Sequence, residues 1–285
     1  MNLLLKNHQS IGDVLMLTAC VRDLKRWYPE INVMVDTSCN VLFEHNPYLA
    51  GAVPIGESVI DIKMEYPLIH KVSERDVHFL HGFIEYINEK LSLRVKLTEF
   101  KGDLHLSEKE KTERIVQEPY WVMVAGGKND FTAKHWWQEA WQTVIDKSNV
   151  KFVTIGGKEH LDTHCTGLNG VVNMQGKTSI REALQLIYHS EGVISPVTFA
   201  MHTAAIFDKP CVVIAGGREH WWWEKYPGHV FIHTQGSLDC CRAGGCWKNN
   251  CDNKDANNHQ KCLAMIDPAK VAEIINKISE VKHGS

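Results

Sequence analysis

Short apolar runs alternate with longer stretches of helical periodicity, and this alternation limits the folds open to the chain more than any other feature. Residues 2–5 (Asn2-Leu3-Leu4-Leu5) form an apolar run, and residues 31–35 form a second, rich in β-branched side chains. Between them, residues 11–28 carry Val14, Leu15, Leu17, Val21 and Leu24 on one helical face, and Pro29 ends the stretch. Strand, helix, strand at this spacing predicts a βαβ unit with a parallel sheet. Further strand and helix signals fall at 59–62 and 76–91, while 95–106 shows no clear pattern and 107–118 is a charged helix or connector. A second alternation follows. Strands are expected at 120–124, 152–155, 171–174, 192–194, 211–214 and 230–233, and helices at 136–146, 180–190, 198–207 and 268–278. The pattern predicts an α/β protein of two doubly wound, Rossmann-like domains, with no solenoid repeats or low-complexity tracts.

The 285 residues, 44% of them hydrophobic, suffice for two cores. We expect a first domain at 1–117, a second at 118–267, and a terminal helix at 268–285 that returns to the first. Residues 1–117 hold 14 Lys+Arg against 17 Asp+Glu, and the remainder 17 against 17. Neither part has the basic excess of a nucleic-acid binder, so a nucleic-acid partner is disfavoured. No apolar stretch reaches the ~20 residues that span a bilayer. The opening MNLLLKNHQS is short and soon polar, unlike a secretory signal, so a cytoplasmic address is expected.

In doubly wound sheets, ligands bind outside the carboxyl ends of strands. Three glycine pairs fall there, each followed by a cation: Gly126-Gly127-Lys128, Gly156-Gly157-Lys158 and Gly216-Gly217-Arg218. Together they suggest a site for negatively charged groups. Ser10-Ile11-Gly12-Asp13 follows the first strand, and a G-x-G-x-x-G fingerprint is missing there, which argues against a nucleotide-sugar epimerase.

Ser10-Ile11-Gly12-Asp13 through Thr18, followed by Leu24-Lys25 and Pro29, resembles the opening of glycosyltransferase family 9, the heptosyltransferase group of GT-B enzymes. Thr132-Ala133-Lys134-His135-Trp136, then Glu139 and Trp141, is similar to a second family stretch. Gly156-Gly157-Lys158-Glu159 and the run from Thr198 to Ala205 resemble two more, all in the family's order. The resemblance implies a GT-B fold, two Rossmann-like domains facing a central cleft, with acceptor in the first domain and donor in the second. It also implies an inverting transfer from a nucleotide sugar, an ADP-heptose or a relative, to a hydroxyl of a glycan or protein. Rivals are a glycosyltransferase acting on hydroxymethylated DNA bases and a non-catalytic metal-finger protein derived from the fold.

Residue by residue, the resemblance places Asp13 as the base that deprotonates the acceptor hydroxyl. A carboxylate at a helix N-terminus suits that task, though such an Asp is also an ordinary helix-start residue. Ser10 and Gly12 would shape its loop. Lys134 falls on a phosphate-contacting lysine whose charge replaces Mg²⁺ at the departing diphosphate; the alternative is a solvated surface lysine. Gly126, Gly127, Thr132, Thr198, Met201 and His202 complete the expected donor contacts, and Glu159 would reach the ribose. His202 would lie across the cleft from Asp13, or else be a structural histidine. The family's aspartate is Val197 here and its glycine Phe199, so the resemblance bears on reaction class more than on donor sugar.

Trp136 and Trp141 are expected to pack inside the second domain. The run Trp221-Trp222-Trp223 reads equally as a sugar or base platform and as packing. Five of the nine cysteines, Cys240, Cys241, Cys246, Cys251 and Cys262, lie within 23 positions. In a reducing compartment this suggests a structural Zn or Fe more than disulfides. The finger at 240–262 resembles that of the family's autotransporter heptosyltransferases, which can hold iron. The expected ligands are Cys240 (or Cys241), Cys246, Cys251 and Cys262, with inert thiols as the alternative.

Overall fold

The computed structural model describes residues 1–51, 56–65, 68, 74–158 and 162–283. They fall into two units, Met1–Thr112 and Glu113–Ser285.

The first unit runs β1 (Asn2–Asn7), α1 (Ile11–Trp27), β2 (Asn32–Thr37), β3 (Val59–Lys63), α2 (Phe79–Leu91) and α3 (Glu108–Thr112). Its sheet is parallel in the order β2-β1-β3, with Leu3 level with Val33 on one side and Ile60 on the other. β1 is central and buries Leu3 and Leu5 completely. Every residue of α1 from Val14 to Leu24 is buried, including the adjacent ions Arg22 and Asp23. Their pairing (2.9 Å) leaves donors and acceptors over, and the unpatterned segment after residue 95 supplies the partners. Arg22 donates to the carbonyls of Glu99, Lys101 and Gly102, and Asp23 accepts from the Thr98 amide. Burying an ion pair is tolerable only when the remaining hydrogen bonds are met in this way. The segment is thus held by charge rather than by apolar periodicity.

The second unit runs β4 (Trp121–Met123), β5 (Gly126–Lys128), α4 (Gln138–Lys147), β6 (Phe152–Thr154), β7 (Asp162–His164), β8 (Val171–Asn173), α5 (Ile180–His189), β9 (Gly192–Pro196), α6 (Phe199–Ile206), β10 (Cys211–Gly216), α7 (Trp221–Glu224), β11 (His229–His233), α8 (Lys261–Ala264) and α9 (Pro268–His283). Six strands form a parallel sheet ordered β11-β10-β9-β4-β6-β8. Numbered within this unit, that is the 3-2-1-4-5-6 order of dinucleotide-binding folds, and its direction reverses between β4 and β9. Trp121, Trp136 and Trp141 fill the core beside Phe152, Ile194 and Ile214. Trp136 and Trp141 meet edge to face at 5.3 Å. α5 opens on a capping box: the Ser179 amide donates to Glu182, and the Glu182 amide to the Ser179 hydroxyl.

The apolar face of α9 is buried in this unit, where Val271 and Ile275 join the cluster of Trp141 and Val144. The Asn276 side chain fixes the contact by donating to the Lys147 carbonyl and accepting from the Asn149 amide. β5 and β7, absent from the sequence expectation, form a small antiparallel ribbon at the carboxyl ends of β4 and β6. Among the described residues, no helix is long and apolar enough to cross a membrane.

Candidate active site

In the first unit, the candidate chemistry sits where the central strand hands over to α1. The loop after β1 is pinned to the end of β2: the Ser38 amide donates to the Asn7 carbonyl and the Ser38 hydroxyl to that of Gln9. Asp13 lies in the first turn of α1, and its Oδ2 accepts from the Ser10 amide at 2.9 Å. Ser10, Gly12 and Asp13 are all half-buried. Beside them, Asn7 Nδ2 and Gln9 Oε1 are buried with no hydrogen-bond partner among the described residues. Sequence reading missed both, since Asn and Gln in a turn carry no signal of their own.

In the second unit, the order reversal between β4 and β9 marks where a ligand belongs. Val197 and Thr198 follow β9 there, and α6 begins at Phe199 with Thr198 as its N-cap. Thr198 Oγ1 is buried and unpartnered among the described residues. Lys134 reaches the same point: its Nζ donates to the Val197 carbonyl at 3.1 Å and lies 2.6 Å from Glu219 Oε1. Glu219, 5% exposed, also pairs with Arg218. Three cations surround the Phe131 ring, with Arg218 at 5.0 Å, Lys128 at 5.5 Å and Lys134 at 5.8 Å from its centroid. Lys134 and Arg218 share the buried Glu219 and Lys128 lies 3.7 Å from the exposed Asp130, so one positive charge remains over, which suits an anionic ligand. Glu219 and Phe131 are functional candidates that the sequence did not disclose, whereas Arg218 was visible there as the cation after Gly216-Gly217.

The glycine pairs have a different reason from the one expected. A Cβ at Gly126 would lie 2.1 Å from the Thr163 carbonyl oxygen, and one at Gly156 would lie 2.3 Å from His164 Nε2. Both glycines admit the β5–β7 ribbon. Gly216 has φ +60°, and a Cβ at Gly217 would meet Cys241 Sγ at 2.9 Å. These two admit the cysteine finger. Gly127 has ordinary room, with its nearest neighbour, His135, at 3.4 Å. Protein packing therefore accounts for most of the pattern first read as anion binding.

The other expected residues are scattered. Thr132 faces the finger, donating from Oγ1 to Asn250 Oδ1. Met201 is fully buried in α6. His202 is 4% exposed, with Nδ1 at 2.8 Å from the Tyr226 hydroxyl and Nε2 at 3.4 Å from Glu224. Its two nitrogens are engaged inside the unit. Glu159 lies outside the described residues. Trp223 is buried, whereas Trp221 stacks on Trp222 at 4.2 Å and Trp222 is exposed.

The five finger cysteines come near one another. Burial pushes the Cys262 thiol up from its ordinary value, and the nearby Cys251, Cys246 and Cys241 push the same way. Burial also raises Cys246, again with a contribution from Cys251 and Cys240. Among the described residues, however, no three His, Cys, Asp or Glu side chains stand in position to hold a metal ion.

The family model for Glycosyltransferase family 9 (heptosyltransferase) matches residues 65–230, more than half of the chain. The chain belongs to glycosyltransferase family 9. No curated protein matches it in sequence. Among solved structures it is similar to the dodecameric iron-containing heptosyltransferase TibC of enterotoxigenic E. coli in complex with ADP-D-beta-D-heptose, at 18% identity and TM-score 0.69, over 98% of this chain and 76% of that one. It is also similar to the family 9 glycosyl transferase of Veillonella parvula, at 13% identity and TM-score 0.72, over 97% and 96% of the two chains. A third likeness is to the E. coli heptosyltransferase WaaC with ADP, at 15% identity and TM-score 0.62, over 98% of each. At these identities the likenesses establish the fold, which is the GT-B fold, and family membership makes the chain a glycosyltransferase.

Proposed function

We propose that this family 9 enzyme transfers a heptose or related sugar from an ADP-linked donor, with inversion, to a hydroxyl of a glycan or protein. The observation that carries the proposal is Lys134 beside Val197 and Thr198 at the order reversal between β4 and β9, with three cations around Phe131. A diphosphate there would accept from Lys134 and from the Thr198 hydroxyl at the positive end of α6. Lys134 would then stabilise the charge leaving with the nucleoside diphosphate, a task that otherwise falls to Mg²⁺. That ADP-heptose is the donor in the TibC complex, and ADP the ligand in WaaC, supports the choice of base and sugar.

Asp13 is the proposed base. The Ser10 amide donates to one carboxylate oxygen, which favours the ionised form that a base needs. Asn7 Nδ2 and Gln9 Oε1 beside it, unpartnered among the described residues, suit an acceptor carrying several hydroxyls. The finger is proposed to hold one Zn or Fe through Cys240 (or Cys241), Cys246, Cys251 and Cys262. The crowding of five cysteines into residues 240–262 supports it, and iron in TibC favours Fe. A cytoplasmic address belongs to the same reading, because thiols, whether free or bound to a metal, persist best in a reducing compartment.

Incubating the protein with ADP-heptose, ADP-glucose, GDP-mannose and UDP-glucose and following release of nucleoside diphosphate tests the proposal. Release from ADP-heptose is expected to be fastest. Release from UDP-glucose alone would leave the reaction class standing and reject the donor.

A further inference from the structure

The cysteine-rich finger does more than lie beside the donor site; its residues 246–250 are hydrogen-bonded to both loops that make it. On one side, the Cys246 amide donates to the Gly217 carbonyl and the Trp247 amide to that of Arg218. Arg218 returns the contact, its Nε donating to the Lys248 carbonyl at 2.7 Å. On the other side, the Thr132 hydroxyl donates to Asn250 Oδ1, and Gln260 Nε2 donates to the Thr132 carbonyl.

Asn249 is the residue that joins the two sides. Its carbonyl accepts from the Ala133 amide at 2.9 Å, one residue before Lys134. Its side-chain Oδ1 accepts from Arg218 Nη2 at 3.2 Å. Arg218 pairs with Glu219 Oε1, the same oxygen that lies 2.6 Å from Lys134 Nζ. The contacts therefore close a ring: Lys134, Glu219, Arg218, Asn249, Ala133 and back along the chain to Lys134. Two cations sharing one carboxylate oxygen repel each other, and hydrogen bonds that anchor one of them offset that repulsion. Arg218, 7% exposed, is anchored by Lys248 and Asn249.

We infer that Asn249 is a positioning residue for the donor site: through Arg218 and Glu219 it holds Lys134 at the Val197 carbonyl, where the donor diphosphate binds. Asn249 touches no substrate in this scheme. The inference rests on the reading of Lys134 as the diphosphate lysine. It gives the finger a second task, that of fixing the geometry of a site built from two other loops. Hydrogen bonds that pre-set a charged side chain contribute to affinity by removing the cost of ordering it on binding.

The test is calorimetric titration of the full chain with ADP, for the wild type, Asn249→Ala and Asn249→Asp, with melting temperatures in parallel. Asn249→Ala is expected to bind ADP ~10-fold more weakly, because the Arg218 contact is lost while the backbone carbonyl remains. Asn249→Asp keeps an acceptor toward Arg218 and should bind within ~2-fold of the wild type. In a Lys134→Ala background, Asn249→Ala should cause no further loss, since its effect passes through Lys134. Should Asn249→Ala melt below the assay temperature, Asn249→Ser, whose hydroxyl is too short to replace the amide oxygen, carries the same expectation. Wild-type affinity in Asn249→Ala, or an equal loss in Asn249→Asp, or losses that simply add to that of Lys134→Ala, would overturn the inference. A wild type that binds no ADP would overturn the donor reading itself, and the inference with it.

Discussion

At the scale of single residues, the assignment of Asp13 makes the sharpest demand. Asp13→Asn keeps the shape that accepts from the Ser10 amide but removes the base, so transfer should fall at least ~100-fold with ADP affinity unchanged. Single-turnover kinetics beside ADP titration would check this, and near-normal transfer would exclude the role. His229 makes a second demand, on stability. Burial pushes its pKa down to about 4, against the pull of the Lys209 carbonyl. Above pH ~6.5 the imidazole is neutral in both folded and unfolded chains, so it carries no penalty. Between there and pH 4 the unfolded chain takes up a proton that the native one refuses, so stability falls as pH falls, by up to ~3 kcal/mol. Below pH 4 this loss is complete. Melting temperatures from pH 7 to 4.5 should therefore drop, and His229→Gln should drop less over the same range.

At the scale of elements, packing explains what composition could not. β9 begins at Gly192 because a Cβ there would stand 2.7 Å from the Trp121 indole of the neighbouring strand. Gly192→Ala should cost about 1–3 kcal/mol of unfolding free energy by forcing the indole aside, measurable by urea denaturation. The strands β1, β4, β6, β9 and β10 and the long helices were legible in the sequence because each buries an apolar run or face. The β5–β7 ribbon was not, because its pairing depends on glycines at 126 and 156 that make room for His164. The segment after residue 95 was illegible for another reason: its order comes from the buried Arg22–Asp23 pair rather than from side chains of its own. The finger yields the metal prediction. Protein prepared without chelator should carry about one equivalent of Zn or Fe, and replacing Cys246 and Cys251 with Ser should remove it and lower the melting temperature. Metal content well below stoichiometric in fresh, reduced wild-type protein would reject the site.

At the scale of the molecule, the second unit's six-stranded order is what recommends the proposed donor site before any side chain is considered, since ligands of such sheets bind at the order reversal, here between β4 and β9. The sequence brought Lys134 and Thr198 to that point through a family resemblance. It also nominated Met201 and His202, which the fold places inside α6, since a residue one turn into a buried helix faces the core. Glu219 could not be foreseen, because its importance arises from a contact across more than 80 residues of chain with Lys134; Arg218 was legible only as the cation after a glycine pair. The account stands on that cation cluster replacing a divalent metal at the diphosphate. Titration of the protein with ADP in EDTA and again in Mg²⁺ tests it most directly. Similar affinity is expected in both, with Lys134→Ala weakening it by more than ~10-fold while leaving binding measurable; binding that disappears in EDTA, or that survives Lys134→Ala unchanged, would contradict the role given to the cluster.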